Sequence, residues 1–398
     1  MHLQGKRSGT PEWQNQRKGR KEMSKMRKWV LGMIVGVMLP VHLGQTGGLV
    51  YAQNGSTDET IIHRVLLPVV MKSWSSSTVA NPRQKPEDFQ AGMAVVIYGN
   101  DQEFEVKTRE LLDYLARLEV NSLCLVFPLF QDNWTSSTVW VDEELTPSKE
   151  RIRLFIRESH KRGFTVMLRP LLNEGSLVPD GKWRGSIQPQ DIEAWFSSYG
   201  NIVLRYAKLA EEEGVEIFDI GTELTSLEGE TNQWLKLIGA VRSVYHGQLT
   251  YSLNWWRLSY NVDVWDKLDF ISVDAYFALD APLEATVEQL IAAWQPWIEQ
   301  LAQSKTSLNK PLVFTELGTT SQTGSHQRPW VGEHNTPLDL EAQRRYYAAA
   351  CQASLSLVNG IYWWSVGLDI PSDPKEDRGF NPLGKPAETE IRECFRGR

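Results

Sequence analysis

The chain has 398 residues, 41% of them hydrophobic, and a formal charge of −7. That length supports one large core and leaves too little for two domains of ordinary size. The acidic balance argues against nucleic acid as the main partner, because such binding rests on Lys and Arg neutralising phosphates.

The N-terminal segment carries Lys21, Lys25, Arg27 and Lys28 ahead of the apolar run Trp29 to Leu43. Small residues from Gly44 to Gly48 follow, and then Val50, Tyr51 and Ala52. This order matches a secretory signal cleaved after Ala52, which makes the protein exported and leaves no stable membrane association. The competing reading is an uncleaved anchor, disfavoured by Pro40 and by a run shorter than the roughly 20 residues of a span. Met23 and Met26 are alternative starts. Residues 53 to 88, rich in Ser, Thr, Asn and Pro around the apolar stretch Val65 to Met71, read as a flexible linker with one short strand. Residues 89 to 398 then form the single folded domain.

From Ala91 onward, short β-branched runs alternate with longer amphipathic stretches, the pattern of repeated βα units. Strands are predicted at Ala94 to Tyr98, Ser122 to Phe127, Thr165 to Arg169 and Glu216 to Gly221. Four more are predicted at Leu249 to Asn254, Phe270 to Ala275, Leu312 to Glu316 and Gly360 to Ser365. Helical periodicity marks Glu103 to Leu118, Ser148 to Lys161, Asp191 to Glu212, Thr286 to Gln303 and Asp339 to Leu357. Eight strands favour a closed (β/α)8 barrel over a doubly wound open sheet, and no Gly-x-Gly-x-x-Gly turn follows the first strand. The stretch Trp255 to Leu268 is too short for a full helix and is the weakest unit.

Cys124, Cys351 and Cys394 lack Cys-x-x-Cys or His-rich spacing and give no support to a metal or other cofactor. Cys124 reads as a buried small residue, and Cys351 with Cys394 could form one disulfide. The 16 Trp residues suit stacking on the apolar faces of sugar rings, with core filling as the competing use.

In a closed barrel the site is built at the C-terminal ends of the strands. Gln131, Asp132, Asn133 and Trp134 follow the second strand; Arg169, Asn173, Glu174, Trp183 and Arg184 follow the third; and Glu223 ends the fourth. The fifth delivers Asn254, Trp255 and Trp256, the sixth Asp274 and Tyr276, the seventh Glu316, and the eighth Trp363, Trp364 and Asp369. Period-2 alternation turns one of Trp363 and Trp364 inward as a sugar platform. Arg169 is an inward cation suited to pairing with a strand-end acid or to substrate contact, and Asp274 to bonding with backbone or Arg. His246, His326 and His334 read as surface residues. No Gly-x-Ser-x-Gly elbow occurs.

Glu223 and Glu316 are the candidate catalytic carboxylates. Glycoside hydrolysis needs one carboxyl group to protonate the leaving oxygen and a second to attack the anomeric carbon or activate water. In a barrel of roughly 8 Å radius, strands four and seven lie roughly 14 Å apart, so two inward Glu side chains leave about 5 Å between their oxygens, near the retaining separation.

The stretch from Trp183-Arg184-Gly185 through Trp195-Phe196, Tyr199, Tyr206-Ala207 and Leu209-Ala210-Glu211 to Ile220-Gly221-Thr222-Glu223-Leu224 resembles glycoside hydrolase family 113. Phe314-Thr315-Glu316-Leu317-Gly318 with Pro329-Trp330, and Gln131-Asp132-Asn133, are similar to further segments of that family. The resemblance implies a retaining β-mannanase with Glu223 as acid/base and Glu316 as nucleophile, Tyr276 bonded to Glu316, and a β-linked polysaccharide or oligosaccharide as substrate. Candidate sugar-binding residues are Trp183, Arg184, Asn254, Trp255, Trp363, Trp364, Gln131, Asn133 and Arg169. Two places depart from the pattern. Thr222 precedes the acid/base where many clan members carry Asn, and Arg169-Pro170-Leu171-Leu172-Asn173 replaces a Lys-Pro-His-x-Asp segment. The readings held alongside are a retaining hydrolase of glucan or xylan and a noncatalytic carbohydrate-binding barrel, the latter having no need of both Glu223 and Glu316.

Overall fold

The computed structural model describes residues 88–257 and 264–396. The proposed signal, the linker with its strand Val65 to Met71, and the middle of Trp255 to Leu268 lie outside these residues.

Eight parallel strands close into a barrel in chain order: β1 Gln90–Val96, β2 Ser122–Leu129, β3 Thr165–Leu172, β4 Ile217–Thr222, β5 Gln248–Asn254, β6 Ile271–Asp274, β7 Leu312–Leu317 and β8 Gly360–Val366. Pairing of β1 with β8, Gln90 opposite Gly360, removes the two edges that an open sheet would keep. Seven α-helices pack outside among the described residues: α1 Phe104–Ala116, α2 Lys149–Lys161, α3 Ile192–Glu212, α4 Thr231–Arg242, α5 Val287–Leu308, α6 Leu340–Ser354 and α7 Pro386–Arg396.

Four of the predicted helices begin on a residue that accepts a backbone N–H from the first turn. Ser148 accepts from Arg151, Asp191 from Ala194, Thr286 from Gln289 and Asp339 from Ala342. Such caps satisfy donors that have no partner within the helix. Helices α1 and α4 begin without such a cap, since neither Glu103 nor Glu230 accepts a first-turn N–H through its side chain. Between β5 and β6 the described chain forms only the 3-10 turns Trp255–Arg257 and Trp265–Lys267.

Strand alternation divides the core in two. Inward residues include Ala94, Cys124, Val126, Met167, Ile217, Val313, Tyr362 and Trp364. Outward residues such as Leu125, Leu168, Phe218, Val273, Phe314 and Trp363 meet the helices. The alternation settles the Trp pair. Trp363 is fully buried in the helix layer, its ring 4.1 Å from that of Tyr347 on α6, so it is no sugar platform, whereas Trp364 faces inward.

Two of the predicted surface histidines are buried. His326 is 3% exposed and His334 9%, because the segment after β7 folds back on itself through Gln322, whose side-chain oxygen accepts the His334 N–H. Burial holds the His334 imidazole down to about 4, hence neutral.

Cys351 on α6 and Cys394 on α7 form a disulfide with Cα atoms 5.9 Å apart, enclosing a segment of sequence separation 43. Closing a loop of that length restrains the unfolded chain by up to about 4 kcal/mol. We expect Cys351→Ala with Cys394→Ala to lower the melting temperature while keeping the fold, and reduction of the parent to reproduce the loss. Identical melting of reduced and oxidised protein would remove this link from the stability of the domain.

Candidate active site

At the C-terminal mouth of the barrel, five carboxyl groups face two guanidinium groups. Arg169, midway along β3 and fully buried, spans the interior: Nη1 donates to Glu316 Oε1 at 2.7 Å and Nη2 to Ser252 Oγ at 2.8 Å. Its Nε lies 2.9 Å from Asp219 Oδ2 on β4, and Nη1 lies 3.6 Å from Asp274 Oδ1 on β6. Ser252 donates onward to Asp219 at 2.6 Å, and Thr315 donates to Asp274 at 3.0 Å. Arg169 is thus enclosed by protein, and of the two roles weighed for it the geometry supports carboxylate pairing over substrate contact.

The second cation, Arg184, comes from the loop between β3 and α3. Its Nη1 donates to Glu223 Oε2 at 2.9 Å, and its Nε lies 3.4 Å from Glu174 Oε1. Asn254 at the end of β5 donates to the other Glu223 oxygen at 2.5 Å. Tyr276 donates its hydroxyl to Glu316 Oε2 at 2.8 Å, so each of the two carboxylates receives one donor on each oxygen.

Two local irregularities aim these side chains. Along β4, Ile220 belongs to the outer layer, and a β carbon added at Gly221 would also meet that layer, 3.0 Å from the Tyr251 ring and 3.2 Å from Trp234. Two successive residues on one side shift the alternation, and the pairing with β5 slips between Asp219 and Thr222. Glu223 then takes φ 54°, the left-handed region that costs a non-glycine residue on the order of 1 kcal/mol or more. Its N–H is held by Ser252 O at 2.9 Å, and the next N–H, of Leu224, by the Tyr251 hydroxyl at 2.9 Å. In β7, Thr315 and Glu316 both reach the interior, where strict alternation would send one outward; the pairing with β8 slips between Phe314 and Leu317.

Burial raises the proton affinity of the carboxyl groups, and the cations oppose it. Glu223 is pushed up to about 7 by burial, with Arg184 pulling down and Glu316 and Glu174 pushing further up. Burial also raises Glu316, against Arg169, Arg184 and the Tyr276 hydroxyl. Asp274, buried beside Glu316, is held well above the usual carboxylate range.

The aromatic candidates separate by position. Trp364, Tyr276 and Phe380 pack together inside the mouth, bordered by half-buried Trp255 and Trp330, whose rings stack at 5.4 Å. Trp183 lies over Gly185, where an added β carbon would come within 2.2 Å of the indole. Gln131 and Asn133 do not reach the carboxylates. Gln131 is buried and braces its own loop, donating to Asn133 O at 2.7 Å and accepting from Trp195 Nε1 at 3.1 Å. Asn133 is exposed and caps Thr135. The sequence reading passed over Asp219 and Ser252; a charged residue inside the apolar run Ile217 to Ile220 was the available signal. Among the described residues, no group of three or more His, Cys, Asp or Glu could hold a metal ion.

The raised affinity of Glu223 makes stability depend on pH. Below about 4.5 the folded and unfolded chains both hold this proton; between 4.5 and about 7 only the folded chain keeps it, and stability is lost as the pH rises through that window. We expect Glu223→Gln, neutral at every pH, to escape this loss and to gain on the parent by about 3 kcal/mol at pH 8, with the two converging near pH 4. Parallel melting-temperature profiles from pH 4 to 8 would show instead that Glu223 carries no such shift.

A model of Glycoside Hydrolase Family 113 matches residues 96–385. The chain is 28% identical to the family 113 β-mannanase AaManA from Alicyclobacillus acidocaldarius, solved with ManMIm, at TM-score 0.69 over 77% of this chain and 97% of that one. A family 113 β-1,4-mannanase is 25% identical at TM-score 0.70, over 78% of this chain and 99% of that one. A β-glucuronidase from Ruminococcus gnavus shares the fold alone, with 12% identity, TM-score 0.53 and coverage of 77% of this chain against 49% of that one. No curated protein matches the sequence. With the family model spanning most of a closed barrel, the chain belongs to glycoside hydrolase family 113 of the clan A barrels and acts on O-glycosyl bonds.

Proposed function

We propose that the protein is an endo-acting β-1,4-mannanase that works by double displacement, with Glu316 as nucleophile and Glu223 as acid and then base. The observation that carries this reading is the contrast between two buried carboxylates at one barrel mouth. Glu316 faces a fully buried guanidinium and a phenol hydroxyl, which favour the ionised form needed for attack. Glu223, with proton affinity raised to about 7, keeps the proton needed to release the leaving group near neutral pH. The substrate class follows from the family 113 neighbours, whose names describe β-mannanases. Trp364, Trp255 and Trp330 offer ring faces around the carboxylates, and Trp183 on the β3–α3 loop suits a sugar of a longer chain.

In the first step a Glu316 oxygen attacks the anomeric carbon as the glycosidic bond breaks and the Glu223 proton passes to the departing oxygen. In the second, Glu223 takes a proton from water, whose oxygen attacks the same carbon and releases Glu316. Tyr276 holds one Glu316 oxygen while the other reacts. We also read the protein as exported, with the mature chain starting at Gln53; the disulfide, a bond that persists in oxidising compartments, supports this.

Purified protein should release mixed oligosaccharides early from mannan or glucomannan. Activity confined to xylan or cellulose, or monosaccharide alone from chain ends, would overturn the assignment. With Glu223→Ala and an activated substrate, azide should intercept the glycosyl enzyme and give a product of retained configuration. With Glu316→Ala it should attack directly and give the inverted product. Proton NMR of the anomeric signal separates the two, and exchanged stereochemistries would reverse the roles. Tyr276→Phe should keep the fold and lose about 10- to 1000-fold in kcat. Unchanged turnover would remove Tyr276 from the site.

A further inference from the structure

Arg184 donates directly to Glu223, an arrangement that works against the proton this carboxyl group must carry. An ion pair this close ordinarily holds a carboxylate ionised. The conflict has a local remedy in the loop after β3. Glu174 Oε1 lies 3.4 Å from Arg184 Nε and accepts the Arg184 backbone N–H at 3.1 Å. The same Nε donates to Leu172 O at 3.2 Å, so the guanidinium sits between two carboxylates and a carbonyl. Glu174, Arg184 and Glu223 are each 9% exposed or less, which limits solvent screening. Glu174 is placed firmly, since its own carbonyl accepts the N–H groups of Leu177 at 2.8 Å and Val178 at 3.0 Å.

We propose that Glu174 is a positioning residue that divides the charge of Arg184 between itself and Glu223, and so preserves Glu223 as a proton donor near neutral pH. This rests on the reading that Glu223 is the acid/base. Two effects act in one direction. Glu174 draws on the guanidinium that would otherwise serve Glu223 alone, and its own negative charge opposes ionisation of Glu223. The other groups facing this pair are Glu316 on β7, which opposes ionisation of Glu223, Asp274 on β6, which acts on Arg184, and the neutral amide of Asn254 on β5. The polar contacts of Arg184 itself are with Glu174, Glu223 and the Leu172 carbonyl. A carboxylate here is therefore more than a cap for the Arg184 backbone, a task that a carboxamide performs equally well.

Glu174→Gln keeps an acceptor of the same shape and deletes only the charge, which makes it the discriminating substitution. In protein carrying 13C-labelled glutamate carboxyl groups, with the Glu223 signal assigned by its loss in Glu223→Gln, the Glu223 midpoint should fall by about one pH unit or more in Glu174→Gln. The basic limb of kcat/KM on an aryl β-manno-oligosaccharide should move to lower pH by the same amount, about tenfold in proton concentration. Glu174→Asp, which restores the charge, should recover most of the shift. An unmoved Glu223 midpoint in Glu174→Gln, or activity lowered evenly at all pH values, would overturn the proposal and leave Glu174 a structural brace. If Glu174→Gln fails to fold, Glu174→Ala decides instead: it also deletes the charge, the Glu223 midpoint should again fall, and a rise or no change would overturn the proposal. The carboxyl titration needs no turnover, so a parent protein inactive on every mannoside would count against the proposed function and leave this test standing.

Discussion

A guanidinium sealed inside the barrel organises everything around it. Arg169 has no access to water, and an isolated charge there would cost several kcal/mol even after relaxation. Its position is tolerable only because Asp219, Asp274, Ser252 and Glu316 converge from four different strands. The dependence also runs the other way. Burial raises the proton affinity of Glu316, nearly as deeply buried, and the same cation and Tyr276 oppose that rise. Removing either partner would leave a buried charge uncompensated, so the chemistry and the integrity of the barrel mouth share one interaction.

The two cations are outnumbered by the carboxyl groups they serve, and that imbalance shapes the site. Two guanidinium groups cannot neutralise Glu174, Glu223, Glu316, Asp219 and Asp274 together in a place so poor in water. Protons make up the difference where cations are furthest or most shared. Asp274, 3.6 Å from Arg169 and with one oxygen lacking a hydrogen-bond partner, and Glu223, which shares Arg184, are the groups held highest. A scarcity of positive charge thus gives two glutamates of the same intrinsic acidity different proton affinities.

Backbone irregularity supplies the aim. Regular alternation would not set both Thr315 and Glu316 inward, nor Ile220 and Gly221 both outward; slips in strand pairing do so at β7 and β4. Gly221 fits the crowded outer layer because it has no side chain to collide with Tyr251 and Trp234. The strained φ of Glu223 is sustained by neighbours that hold its own N–H and that of Leu224, of which Tyr251 is itself tied to Glu228, and Glu228 to Arg257. These features lie within a few residues of the two catalytic candidates, where a rigid turn keeps the carboxylates opposed.

The (β/α)8 architecture was legible in the chain because each unit repeats a local rule: β-branched runs of period 2, and helices that open on Ser148, Asp191, Thr286 or Asp339. Glu223 and Glu316 were legible because strand ends in such a barrel point to one mouth. The inward member of the Trp363 and Trp364 pair was not, because alternation fixes only that the two differ. Which carboxylate Arg169 would meet, and that Gln131 would be consumed by Trp195 and its own loop, depended on contacts between segments far apart in the chain. The same holds for the burial of His326 and His334 and for the sharing of Arg184 between Glu174 and Glu223. Local order follows from propensities that each segment carries alone, whereas proton affinities follow from burial and from charges several ångströms away, which exist only once the barrel has closed.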